Sequence, residues 1–285
     1  MAAHLYHGRR AVLATAHGKA AAIAPVMKAR LGLEIEVPAG LDTDSLGTFS
    51  GEVARFGTME ETLERKAQLG LEAVDLTLGI ASEGSYGPHP HLPFLGAGLE
   101  RMMLLDTVLG YRIQESLFED SPVFESAEIA NLAELKPFIE RSRFPSHAAI
   151  ASPVGAGSAA ITFKGLRSVD ELHHAVRVSL EASPDRRALV QTDMRAHMNP
   201  TRMQTIAKLA ERLADRLLTL CSVCDAPGYG RTGVSIGLPC SDCGWPTELV
   251  REEIFGCHAC GATATRPRSD GLRATGPRNC PNCNP

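Results

Sequence analysis

Cysteine is missing from the first 220 residues of this 285-residue chain. That absence excludes disulfides, thiolate nucleophiles and cysteine-ligated metal from most of the protein. Aromatic residues are scarce, at 5%, with Trp245 the only tryptophan, so any large core must be built from aliphatic side chains. Long apolar runs are lacking too: the stretch Ala20 to Ala24 stops at Pro25, far short of the ~20 residues of a membrane span. Met1 to Arg10 has no apolar stretch of the kind a secretory leader needs. Nor does charge of one sign dominate. The formal net charge is −4, and thiolates bound to zinc would make the chain more acidic, which argues against a general affinity for nucleic acid. These absences point to a cytoplasmic protein without a membrane partner. Its oligomeric state is not set by the sequence.

What the chain does have is a cysteine-rich end. All eight cysteines fall in Cys-x-x-Cys pairs: Cys221/Cys224, Cys240/Cys243, Cys257/Cys260 and Cys280/Cys283. A two-residue spacer turns both thiolates toward one tetrahedral ion, so eight sulfurs predict two structural Zn²⁺ sites. The intervals of 15, 13 and 19 residues allow successive pairs to share an ion. They also allow a nested arrangement, in which the two middle pairs share one ion and the outermost pairs the other. Gly244 and Gly261 directly follow two of the knuckles, and their matching positions favour the nested option. The tail has no lysine and balances six arginines, four of them between Arg266 and Arg278, against six carboxylates. The division is expected at residues 1–219, an α/β domain, and 220–285, a small zinc-ribbon domain.

In the larger part, strand patterns over Arg10–Thr15, Leu33–Val37, Leu76–Ala81 and Ala188–Thr192 alternate with helical ones. The helices are expected over 19–31, 59–70, 126–141, 169–180 and 200–220. Thr58 and Glu61 have capping-box spacing, and Pro200 suits a first helical position. Arg101–Phe118 reads as two strands broken near Gly110, and His147–Ser152 and Ala159–Lys164 as a strand pair. The glycine- and proline-rich stretch Ser82 to Gly98 reads as loop. The alternation predicts an α/β domain whose sheet is mixed or mainly parallel, with flanking helices.

Several polar segments carry more chemistry than folding requires. His17-Gly18-Lys19 sits where a strand turns into a helix, a common anion position. Asp42 and Asp44, with Glu52 further on, are oxygen ligands suited to Mg²⁺ or Mn²⁺. Glu83, His89 and His91 lie in the glycine-rich stretch and are candidate bases or ligands. Lys164-Gly165 ends a predicted strand. In Thr192 to Arg202, a continuing strand would put Asp193, Arg195 and His197 on one face, with Asn199 as an N-cap. Arg195, Arg202, Lys19 and Lys164 are then the expected anion-binding groups, and His89, His197, Glu83 and Asp193 the expected catalytic ones.

The stretches HGK, DTDSLGTFSGE, ASEGSYGPHP, KG and TDMRAHMNPTRM, with the terminal Cys-x-x-Cys series, together resemble an uncharacterised bacterial domain-of-unknown-function family from about Arg9 to Pro285. The resemblance implies a cytosolic α/β domain with a cysteine-rich tail and no particular activity. Ala20 and Tyr86 stand where an acidic residue and a phenylalanine are expected in similar members. The reading that follows is a metal-assisted enzyme acting on a phosphate- or carboxylate-bearing small molecule. The competing one is a non-catalytic zinc-ribbon adaptor for a protein or nucleic acid.

Overall fold

A computed structural model describes residues 4–47, 56–89, 96–155 and 161–284. It contains two compact units, Met1–Ala214 and Asp215–Pro285. The first begins with β1 (Arg10–Ala14), whose last four residues are all buried. α1 (Ala20–Leu31) follows and stops at Gly32, which takes the left-handed conformation. Then come β2 (Glu34–Glu36), α2 (Met59–Ala73) and a meander of β3 (Leu78–Pro88), β4 (Gly96–Asp106) and β5 (Tyr111–Glu119). The Thr58/Glu61 capping box is present, with both reciprocal bonds made.

These strands form one sheet in the order β2-β1-β3-β4-β5. β1 runs parallel to β2 and β3, whereas β3/β4 and β4/β5 are antiparallel. The sheet is therefore mixed. α2 packs on it and buries Leu63, Ala67 and Leu71 against Ala81, Met103 and Leu105.

A second sheet is built from β6 (Ser126–Ile129), β7 (Ala149–Pro153), β8 (Phe163–Leu166) and β9 (Ala188–Thr192). Its order is β6-β9-β7-β8, antiparallel throughout. α3 (Leu135–Arg141) and α4 (Val169–Ala182) cover it with Phe138, Leu172 and Val176. α5 (Pro200–Leu218) closes this part of the chain. No helix among the described residues is long and apolar enough to cross a membrane.

Three expectations need correcting. The stretch Ser82 to Gly98 is mostly hairpin rather than loop, with pairing continuous from Leu78↔Asp106 to Pro88↔Gly96. Its glycines make room for neighbouring side chains: a Cβ on Gly98 would lie 2.4 Å from the Tyr86 ring. Ser126–Arg141 is not one helix. Its first four residues pair with β9, and Asn131 then caps a short 3₁₀ turn through the Ala133 N–H before α3 begins. The strand entering Asp193 ends at Thr192, because the Asp193 carboxylate accepts from the Arg195 N–H and turns the chain. Asp193, Arg195 and His197 therefore do not share a strand face.

The second unit is a three-stranded antiparallel sheet of β10 (Gly230–Ile236), β11 (Val250–Gly256) and β12 (Thr263–Pro267), flanked by the four cysteine knuckles.

Candidate functional site

In the first unit, the carboxyl edge of the parallel pair β1/β3 forms the site. Ala14 is the last residue of β1 and pairs with Ala81, so Ser82, Glu83 and Gly84 run on past the end of β1. The chain leaves β1 through Thr15–Gly18 and enters α1 at the same edge. A cleft opens there, lined by Thr15–His17, Lys19, Thr43, Asp44, Lys66, Ser82–Gly84 and Arg202 among others.

Each cation in the cleft is buried and held. The Lys19 ammonium donates to the Ser82 carbonyl at 2.9 Å. Lys66, from α2, donates to Glu83 Oε2 at 2.6 Å. Arg202, from the first turn of α5, donates through Nε to Glu100 Oε1 at 2.6 Å and through Nη1 to the Met194 carbonyl. Glu100 lies on β4 and is 1% exposed; its Oε1 also accepts from the Tyr86 hydroxyl at 2.9 Å. The tyrosine that departs from the resembled pattern thus adds a bond to this carboxylate. Gly84 is what lets the pair cross β3, since a Cβ there would come within 2.5 Å of Arg202 Nη2 and of Glu100 Oε1.

Burial and these neighbours set the protonation states. Burial pushes the Lys19 ammonium down to about 8, with Arg202 and Lys66 adding to the effect against Glu100 and Glu83. For Glu100 burial pulls upward, but Arg202, Lys19 and the hydrogen bonds to its carboxylate win and hold it below the ordinary range. The Tyr86 hydroxyl is raised by burial and then by Glu100. At the rim, His17 Nε2 lies 3.1 Å from Asp44 Oδ1, and its ring stacks on His197 with centroids 5.6 Å apart. Burial lowers His17; Asp44 opposes this, while Lys19, His197 and Arg195 reinforce it.

Of the expected residues, Lys19, Glu83, Asp44 and Arg202 line the cleft, and His197 stacks on His17 at its rim. Asp42 does not line it. Its exposed carboxylate accepts from the N–H groups of Asp44 and Ser45, an Asx-turn. With Glu83 committed to Lys66 and Asp44 to His17, no group of three oxygen or imidazole ligands forms among the described residues. Asp193 is fully buried and holds Arg195 and the Gly165 N–H, a corner between β8 and β9. Lys164 lies on β8, and neither it nor Arg195 lines the cleft. His89 follows β3 directly, 3.8 Å from Asp120 and edge-on to Phe118, and it too is outside the cleft lining. His91 and Glu52 lie outside the described residues.

Sequence reasoning missed Lys66, Glu100 and the role of His17. Two of them left a trace. Lys66 falls on the buried stripe of α2 with Thr62, Leu63, Ala67 and Gly70, and Glu100 shares strand parity with the buried Met102 and Leu104. A charge on an apolar stripe needs a partner.

In the second unit the eight thiols form two groups, Cys221/Cys224 with Cys257/Cys260 and Cys240/Cys243 with Cys280/Cys283. The pairing alternates along the chain, so both the successive and the nested arrangements are overturned. Thiolates about 2.3 Å from a tetrahedral ion have S–S edges of about 3.8 Å. The observed Sγ–Sγ distances of 3.8, 3.7, 3.9 and 3.6 Å fit that geometry. The glycines after two knuckles do not mark a shared ion. Gly244 and Gly261 have φ of 71° and 73°, and Asp225 takes the same left-handed turn at 56° after a third knuckle. In each case that residue's own N–H donates to the first cysteine's carbonyl. His258 is exposed within its knuckle and belongs to neither cluster.

The profile of a family described as "Domain of unknown function (DUF6671)" matches residues 66–285. The matched stretch contains Lys66, Glu83, Glu100, Arg202 and every cysteine, while His17, Lys19 and Asp44 precede it. No curated protein matches the chain significantly.

Proposed function

The chain belongs to the DUF6671 family, and we propose that its larger unit binds a small anionic molecule in the β1/β3 cleft and moves a proton to or from it. One observation carries this reading: Lys19, Lys66 and Arg202, from three different helical segments, converge at the strand edge where α1 begins. Positive charge gathered in a concave site at the carboxyl ends of parallel strands is suited to a phosphate or carboxylate. Lys66 and Arg202 are balanced by Glu83 and Glu100. Lys19 has only a neutral carbonyl partner among the described residues, so it is the cation available to an incoming anion.

His17 is the group placed for proton transfer. Asp44 fixes its ring through Nε2, and burial favours its neutral form, as suits a base near neutral pH. The commitments of Asp42, Asp44 and Glu83 give no support to a divalent-cation role for them, so the reading runs through these protein groups alone. The two thiolate clusters of residues 215–285 are proposed to hold one structural zinc each, since all four ligands of each are sulfur and none leaves a position open.

Calorimetric titration of the zinc-loaded chain with a panel of small phosphates and carboxylates tests the cleft. Binding that Lys19→Met abolishes is expected. Anion binding that survives Lys19→Met unchanged would place the site elsewhere.

A further inference from the structure

We propose that the group seated in this cleft is a phosphate, cupped by the backbone N–H groups of Gly18, Lys19 and Ala20 together with the Lys19 ammonium and the Ser82 hydroxyl. The inference rests on reading the cleft as an anion site and narrows its ligand to phosphate esters.

The backbone supplies the first argument. Gly18 has φ +68° and Lys19 has φ −61° and ψ −18°. Successive residues of opposite hand curl their N–H groups toward a common centre, a concavity that suits an anionic oxygen. Among the described residues, none of the N–H groups of Gly18, Lys19 and Ala20 donates to a protein acceptor. The first bonds of the α1 turn come from Ala21, Ala22 and Ile23 instead. Their partial positive charge is added to that of the α1 N-terminus. Glycine is required at 18: its φ is left-handed, and a Cβ would also meet the His197 Cβ at 3.4 Å.

Ser82 supplies an independent one. The residue lines the cleft and is 2% exposed, and its buried Oγ has no hydrogen-bond partner among the described residues. A buried hydroxyl without a partner is costly, and an acceptor in the cleft would relieve that cost. Lys19 is 7% exposed and spends one of its ammonium hydrogens on the Ser82 carbonyl, keeping the others for a ligand. Glu83 and Glu100 do not cancel this seat, because Glu83 is held by Lys66 and Glu100 by Arg202.

Donor number decides between the anions. The set counts three backbone N–H groups, the Lys19 ammonium and the Ser82 hydroxyl. A phosphate monoester offers three terminal oxygens around a tetrahedral phosphorus. A carboxylate offers two in one plane and would leave part of the donor set unused.

The test is titration of the full zinc-loaded chain with inorganic phosphate and, separately, malonate, followed by calorimetry and by backbone amide shifts. Phosphate is expected to bind at least tenfold more tightly than malonate and to shift the amides of Gly18, Lys19 and Ala20 together. Ser82→Ala should weaken phosphate about tenfold, the loss of one hydrogen bond to a charged acceptor. Gly18→Ala should weaken it at least as much; if that variant fails to fold, Ser82→Ala and the wild-type amide shifts still decide. Malonate binding as tightly as phosphate, or phosphate affinity unchanged in Ser82→Ala, would overturn the phosphate seat while leaving an anion cleft intact. If neither anion binds, the cleft reading falls with it.

Discussion

At the scale of single residues, the cleft is governed by which buried charges have partners. Arg202 and Glu100 are 3% and 1% exposed and pair through Arg202 Nε and Glu100 Oε1. Arg202→Met would strand the carboxylate, and a loss of roughly 3–5 kcal/mol is expected in urea unfolding. Adding Glu100→Gln should recover part of it. Lys19 behaves differently, because among the described residues no carboxylate forms an ion pair with it. Lys19→Met should cost no urea stability at pH 7, since the buried ammonium is itself unfavourable there, while removing anion affinity. Its pH dependence has a definite sign. The folded-state value is lowered to about 8, whereas an unfolded lysine keeps its proton to about 10.4. Between these values the unfolded chain binds more protons, so Lys19's contribution makes stability rise with pH there. Anion affinity does the opposite and should fall as pH climbs through about 8; titrations at pH 7 and pH 9 check both trends against Lys19→Met. Lys19 and Arg202 were legible as anion-site candidates because each sits beside a recognisable helix start. Lys66 and Glu100 were not, since each lies within a regular element whose period absorbs it.

At the scale of elements, the sequence was most readable where neighbours a few residues apart decide the outcome. The Thr58/Glu61 box, the Gly32 stop of α1 and the Pro200 start of α5 all depend on local backbone groups. Thr58→Ala should cost about 1 kcal/mol in thermal unfolding, the ordinary value of an N-cap. The β3–β4 hairpin was misread for a reason equally physical. Gly84, Gly87, Gly96 and Gly98 resemble loop punctuation, yet Gly84 and Gly98 are pressed by side chains arriving from other segments and from the opposite strand. Gly84→Ala is expected to destabilise by about 1–3 kcal/mol through overpacking against the Arg202–Glu100 pair. The same substitution at Gly87, where nothing lies within 4 Å of the added carbon, should be close to neutral. Parallel thermal melts of the two variants test the contrast.

At the scale of the whole molecule, two compact units divide the chemistry: a cysteine-free one with a polar cleft and a second containing two clusters of four cysteines. The alternating pairing makes a stoichiometric prediction readable by native mass spectrometry. Cys224→Ser and Cys260→Ser remove ligands of the same cluster, so the double variant should retain one zinc per chain. Cys224→Ser with Cys283→Ser touches both clusters and should retain none. Chelation should raise amide exchange throughout residues 215–285, because a tetrathiolate site supplies much of the folding energy of so small a unit. By itself the sequence determined the knuckles, the helix caps and the approximate limits of most strands and helices, since these depend on residues within a few positions of one another. Which knuckles share an ion, and which carboxylate meets which cation, only the tertiary structure decided. Lys19 reaches Ser82 across 63 residues and Arg202 reaches Glu100 across 102. Partners brought together by sheet order and helix packing leave no periodic mark in the chain.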